Sequence, residues 1–349
     1  MDMRAFYAQL KQLTIQPCYL LEGEEEYTKL KALDDLRSAL LPEGMAMMNE
    51  TVLTDPAADV LIATAETLPM MADRRLVIVR DSAHLQGRVE REEGESAAPS
   101  ADGDRLVSYV QRLPDTTCLV FVTRGRANGT RKLYKQLNKQ GAVVTFSRLS
   151  RPELIRWVAR DLQALGKRIT GDAAEELLFT AGEDMNLLRQ EIEKLAAFAG
   201  DRDAITVHDI HAIATSTTEY KVFDLADAVM TGNAEKAVTL MNGMIRDGEA
   251  RLFLLALLQG QCRQLFLCKL LGPNARDAAV ASALAVPPFV ARKLLATSRR
   301  HMLSALIWSY EQCVDTEYRV KSGAQNEDGC LEMLVYQLLA RFEQEAHDA

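Results

Sequence analysis

The stretch Leu20-Leu21-Glu22-Gly23-Glu24-Glu25-Glu26-Tyr27-Thr28-Lys29 follows an apolar run and opens a helical segment. That is where an α/β nucleotide-binding protein carries its phosphate loop. A working loop needs G-x-x-x-x-G-K-[ST], because glycines let backbone N–H groups surround the phosphates while Lys and the hydroxyl meet the γ-phosphate and its magnesium. Here a single glycine is followed by three glutamates, the second glycine is missing, and Lys29 comes after Thr28 instead of before a hydroxyl residue. Carboxylates suit a helix N-terminus, but they repel a triphosphate. The acidic strand end that would hold magnesium is missing as well: the run 119–122 ends in Thr123-Arg124 and the run 76–79 in Arg80-Asp81. A lone Asp81 reads as a cap or turn residue. The expectation is a chain that neither binds ATP tightly nor hydrolyses it.

No other constellation supplies catalysis. The five histidines share no spacing, and no Ser/His/Asp or Cys/His set stands out. Cys18, Cys118, Cys262, Cys268, Cys313 and Cys330 are scattered through apolar runs without a CxxC pair. They read as buried reduced thiols, not as zinc ligands. No catalytic residue, cofactor or metal is assigned.

Two segments point to contacts instead. Glu66-Thr67-Leu68-Pro69-Met70-Met71-Ala72-Asp73-Arg74-Arg75 precedes the apolar run 76–79. Pro69 ends any preceding helix and stiffens the loop. Two methionines then follow where the chain turns into the sheet; they suit an adaptable contact with a partner's pocket, and they equally suit a plug for the domain's own core. The second segment, 124–139, holds Arg124, Arg126, Arg131, Lys132, Lys135 and Lys139 and no acidic residue. It is either a solvated helix face or a patch for a phosphate backbone. The whole chain has a formal net charge of −8, which argues against sequence-independent coating of nucleic acid and leaves room for local basic patches.

These residues need elements to place them. At 349 residues the chain calls for two or three domains. Residues 17–146 alternate apolar runs with helical stretches, the pattern of a mainly parallel sheet wrapped by helices, with strands expected at 18–21, near 50–53, and at 76–80, 118–123 and 142–146. Tyr27, Leu30, Leu33, Leu36 and Leu40 mark one helix and Val60, Leu61 and Ala65 another. Residues 87–104 are polar with little to bury and predict a loop excursion. After Ser150 no strand is expected, only helices at 152–165, 171–181 and 184–198, a linker at 215–221, and a larger helical block. Boundaries therefore fall at 1–148, 149–214 and 215–349. The longest apolar runs are too short for a membrane span. The first residues, through Met3, Phe6, Leu10 and Leu13, read as a helix and not as a secretory leader, so a cytoplasmic location is expected.

With these blocks in order, the sequence resembles the bacterial DNA polymerase III delta-subunit family along essentially its whole length. The resemblance rests on Cys18-Tyr19-Leu20-Leu21-Glu22-Gly23-Glu24-Glu25, on the segment from Leu68 to Val77, and on Arg131-Lys132-Leu133-Tyr134-Lys135 with Gly141-Ala142-Val143-Val144. It continues in Gly182-Glu183-Asp184-Met185 through Glu191-Ile192-Glu193-Lys194-Leu195, in Val222-Phe223-Asp224-Leu225-Ala226-Asp227-Ala228, and in Pro287-Pro288-Phe289-Val290-Ala291-Arg292-Lys293-Leu294. It implies an α/β then all-α fold: an AAA+-like N-terminal domain with a degenerate phosphate loop, a small helical lid, and a helical collar through which clamp-loader subunits form a ring. It also implies partners. These are the sliding clamp (beta subunit), the gamma/tau and delta prime subunits through the C-terminal domain, and primer-template DNA within the complex, with no membrane. Clamp contacts carry over to Leu68, Pro69, Met70 and Met71, the methionines standing where the family's commonest pair is Leu-Phe. Arg131, Lys132 and Lys135 become candidates for DNA contact. The lid position that presents an arginine to nucleotide in active relatives matches Asn186, with Arg189 close by. The implied role is a non-catalytic subunit of a DNA-directed DNA polymerase holoenzyme that opens the clamp. The competing readings are a clamp-binding or repair scaffold of the same fold that loads nothing, and an active nucleotide-dependent enzyme.

Overall fold

The computed structural model describes residues 1, 3–86 and 100–348. It forms two compact units, Met1–Ser150 and Arg151–Ala349.

In the first unit Cys18–Glu22 (β1), Glu50–Thr54 (β2), Arg75–Arg80 (β3), Thr117–Val122 (β4) and Val143–Thr145 (β5) pair in the order β2-β3-β4-β1-β5. Every pairing is parallel. The strands fall within about a residue of the sequence expectation, because near-continuous apolar runs are what a parallel sheet covered on both faces requires. Alternate residues serve opposite faces. Leu20, Val77, Val79, Leu119 and Phe121 pack with the helices Ala58–Ala65 (α4), Ser100–Val110 (α5) and Lys132–Lys139 (α6). Tyr19, Leu21, Leu76, Ile78 and Val120 pack with Met3–Lys11 (α1) and Glu26–Leu40 (α2), which deliver Phe6, Leu10, Ala32, Leu33 and Leu36. A short helix, Ala46–Asn49 (α3), leads into β2.

Two expectations shift in this unit. Of the polar stretch 87–104, residues 87–99 lie outside the described residues, but from Ser100 the chain is already helical, since Leu106, Tyr109 and Val110 recur at helical spacing and bury on the sheet. Leu13 falls beyond α1 in a left-handed turn, exposed.

The second unit begins with Arg151–Ala164 (α7), Gly171–Ala181 (α8), Met185–Ala199 (α9) and Val207–Ile213 (α10). Side-chain caps set these boundaries. The Thr170 hydroxyl accepts from the Ala173 N–H, Asp184 accepts from those of Asn186 and Leu187, and Thr206 with Asp209 forms a capping box. Contrary to the strand-free expectation, Arg168–Ile169 (β6) and Ala204–Ile205 (β7) pair in parallel. A two-residue ladder carries no periodicity to read. The expected linker at 215–221 is also shorter: Thr217 caps a helix that starts at Thr218. That helix, Thr218–Met230 (α11), is followed by Ala234–Arg246 (α12), Arg251–Leu270 (α13), Asp277–Leu284 (α14), Pro288–Arg299 (α15), Leu303–Lys321 (α16) and Cys330–Asp348 (α17). They close around Leu225, Val229, Leu254, Leu258, Leu294, Leu306 and Leu338. All six cysteines are buried thiols, and the Cys262 and Cys313 sulfurs lie 4.0 Å apart. Among the described residues no single helix is long and apolar enough to cross a membrane.

Candidate functional site

The carboxyl ends of β1 and β4 lie side by side, with Leu21 opposite Val122. In open α/β sheets this is the crevice that takes ligands. Here it is filled by the protein's own lysine. Lys29, from the first turn of α2, is fully buried, and its ammonium donates to the Gly23 carbonyl at 2.9 Å, the Thr123 carbonyl at 2.6 Å and the Glu26 carboxylate at 2.6 Å. Three donors meet three acceptors. The backbone of the turn is committed in the same way: the Gly23 N–H donates to Gly125 O at 2.8 Å and the Glu25 N–H to Phe146 O at 3.1 Å. Gly23 holds φ +119°, and a Cβ there would stand 2.1 Å from Phe146 O, so only glycine fits. Glu22, also buried, accepts from the Ala127 N–H at 2.9 Å and the Thr145 hydroxyl at 3.0 Å. Two N–H groups of the turn, those of Gly23 and Glu25, and the Lys29 ammonium are thus bonded to the chain itself. Thr28-Lys29 reads in sequence as a motif out of order; the structure gives Lys29 an internal role that the motif does not suggest.

The loop from α4 to β3 is built differently. Its stem is tied down: buried Arg75 donates to the Thr67 carbonyl at 3.2 Å and to the Thr51 hydroxyl at 3.0 Å, and Arg74 donates to Ile15 O at 2.8 Å. Burial holds the Arg75 guanidinium below its usual pKa. At the tip, the buried Asn49 side chain accepts from the Met70 N–H at 2.7 Å and donates to the Met70 carbonyl at 2.8 Å and the Met45 carbonyl at 3.1 Å. Met71 follows at φ +54°. The apolar side chains of this pinned loop face outward, with Leu68 72%, Met70 58% and Met71 82% exposed while Pro69 is half-buried. The core-plug reading of the methionines does not match this placement. Met47 and Met48 on α3 are exposed too. In the sequence this second cluster is Met45-Ala46-Met47-Met48-Asn49, and Asn49 carries no local signal of its role because its partner lies 21 residues away.

The basic stretch is partly spoken for. Arg131 donates to Gln86 O at 3.0 Å and Lys132 pairs with Asp104 at 2.6 Å, while Lys135 is exposed on α6. In the helical unit Asn186 is exposed, and Arg189 is held by Asp161 at 3.2 Å and Glu193 at 2.8 Å.

Comparisons with known proteins agree along the chain. The family model described as DNA polymerase III, delta subunit, matches residues 19–147, and that for the C-terminal domain of the same subunit matches residues 219–338. A model described as a middle domain matches 150–212. The chain is 27% identical to DNA polymerase III subunit delta of Bacillus subtilis over 338 residues, 96% of each chain. It is 21% identical to the Escherichia coli subunit over 251 residues, covering 70% of this chain and 68% of that one. The solved structure of the Bacillus subtilis DNA clamp loader delta protein superposes with a TM-score of 0.56 at 26% identity, covering 97% of this chain and 99% of that one. The chain belongs to the DNA polymerase III delta-subunit family.

Proposed function

We propose that this protein binds the sliding clamp and opens it for loading onto primed DNA, with Leu68, Pro69, Met70 and Met71 as the docking element. The observation that carries this reading is a loop fixed by buried polar side chains that nevertheless turns two adjacent methionines into solvent. Exposing large apolar groups from a pinned loop has no use in an isolated fold, whereas it suits anchors for a partner's apolar pocket. Binding opens the clamp only if the docked state favours the open ring over the closed one. A fluorescence pair placed across one clamp interface tests this: the reading expects separation on adding the protein without ATP, and a bound but closed clamp would count against it.

The remaining parts of the proposal concern energy and assembly. The closed turn at Gly23 and Lys29 supports a subunit without ATPase activity, so nucleotide hydrolysis falls to its neighbours. Residues 1–148, 149–214 and 215–349 serve as clamp-binding, lid and collar domains. The collar joins the gamma/tau and delta prime subunits, supported by the exposed Phe253, Leu270 and Leu271 along and just past α13. Primer-template DNA meets the basic stretch through Lys135 and, once their internal partners are exchanged for phosphate, Arg131 and Lys132. Exposed pairs such as Lys132 with Asp104 are worth little and exchange readily. The protein works in the cytoplasm.

A further inference from the structure

Asn49 stands outside every motif, yet it makes the contact that sets the tip of the docking loop. We propose that Asn49 is the positioning residue of this loop, holding Met70 and Met71 in the conformation that docks; the inference rests on the docking role given above. Its side chain reads both faces of one peptide residue, accepting from the Met70 N–H at 2.7 Å and donating to the Met70 carbonyl at 2.8 Å. The second amide proton goes to Met45 O at 3.1 Å, so the orientation of the amide is fixed by three partners and its reversal would set donor against donor. The Asn49 side chain is itself fully buried, although Met70 and Met71 are exposed. No carboxylate or aliphatic residue can reproduce a paired donor and acceptor at that place.

A second observation points the same way. Met71 sits at φ +54°, a left-handed conformation that side-chain-bearing residues adopt only when their surroundings impose it. The residue before it is the one Asn49 grips. Without that grip the tip relaxes into several conformers, and the affinity for the clamp falls in proportion to the fraction of loops still in the docking form.

The experiment compares clamp affinity of the full-length protein, Asn49→Leu, Met70→Ala with Met71→Ala, and the triple variant, together with hydrogen exchange at the Met70 amide. Asn49→Leu should weaken clamp binding roughly tenfold and speed Met70 exchange in a protein that stays folded at the assay temperature, with a lower melting temperature because the Met45 and Met70 backbone groups lose their partner. Adding it to the two alanines should weaken binding no further, since a positioning residue has nothing left to position. Additive losses in the triple variant, or normal binding by Asn49→Leu beside failed binding by the alanine pair, would overturn the positioning role and leave the docking role intact. Normal binding by the alanine pair would overturn the docking role and this inference with it. Should Asn49→Leu fail to fold, wild-type exchange decides: a Met70 amide that exchanges at the rate of an open chain is not held.

Discussion

At the scale of single residues, the same amino acid type that would touch phosphate in a working loop here closes the loop. A buried lysine is costly unless each of its protons is accepted, and Lys29 meets Gly23 O, Thr123 O and Glu26. Lys29→Ala should therefore cost about 2–4 kcal/mol, because two buried carbonyls lose their donor along with the ion pair. Urea unfolding would measure it, and titration of the variant with ATP should still show no saturable site. A loss below about 0.5 kcal/mol would mean that water replaces the ammonium freely. Legibility at this scale was uneven. The missing second glycine announced the failed motif, but nothing local announced that Lys29 is buried, since one acceptor lies 94 positions along the chain. The methionine pair was visible as an oddity, whereas its exposure depends on Asn49 and Arg75, which come from strands and helices the pattern places only roughly.

At the scale of elements, the junction of α8 with α10 and α15 within the helical unit rests on one carboxylate. Glu176 is buried and accepts from Lys293 at 2.9 Å, while His211 Nε2 lies at 2.9 Å from the same oxygen. Phe179 meets the rings of Tyr220, Phe223 and Phe289 at 5.0–5.2 Å, and the Lys293 ammonium stands 5.0 Å from the centre of the Phe179 ring. Burial alone would raise the Glu176 pKa, but the hydrogen bonds from His211 and Lys293 outweigh it and hold the carboxyl below its ordinary value. The folded state thus prefers the charged form. Its contribution is complete at neutral pH and is lost as pH falls through the carboxylate range and below, from about pH 4 downward. Glu176→Gln should be less stable at pH 7 and show a flatter acid limb, read from urea midpoints at several pH values; an unchanged limb would remove Glu176 from the account. The same unit is expected to carry assembly. Residues 151–349 should join the other loader subunits when residues 1–150 are absent, and co-purification of residues 1–150 alone would contradict that. Helix ends in this unit were legible from Thr170, Asp184 and Thr206, each a side chain that caps its own neighbourhood. The β6–β7 ladder was not, because two residues a side are held by tertiary packing alone.

For the whole molecule, the order β2-β3-β4-β1-β5 puts a crevice where nucleotide would bind, Lys29 occupies it, and the α4–β3 loop exposes Leu68, Met70 and Met71. Equilibrium binding of labelled ATP to the isolated protein should accordingly show no saturable micromolar site. The alternation of apolar runs made the α/β-then-helical architecture readable, and six blocks in order made the family readable. The resemblance already pointed to Leu68, Pro69, Met70 and Met71, but that the two methionines are exposed was not readable, since exposure is a property of the fold and not of a residue type. Docking of Met70 and Met71 into the clamp, as proposed, is tested most directly by measuring clamp affinity and melting temperature together for Met70→Ala with Met71→Ala. Two central apolar anchors are worth about 2 kcal/mol or more each, so the double variant should bind the clamp about a thousandfold more weakly, on the order of 4 kcal/mol, while melting like the wild type. A double variant that binds the clamp normally, or that loses binding only because it unfolds, would contradict the account.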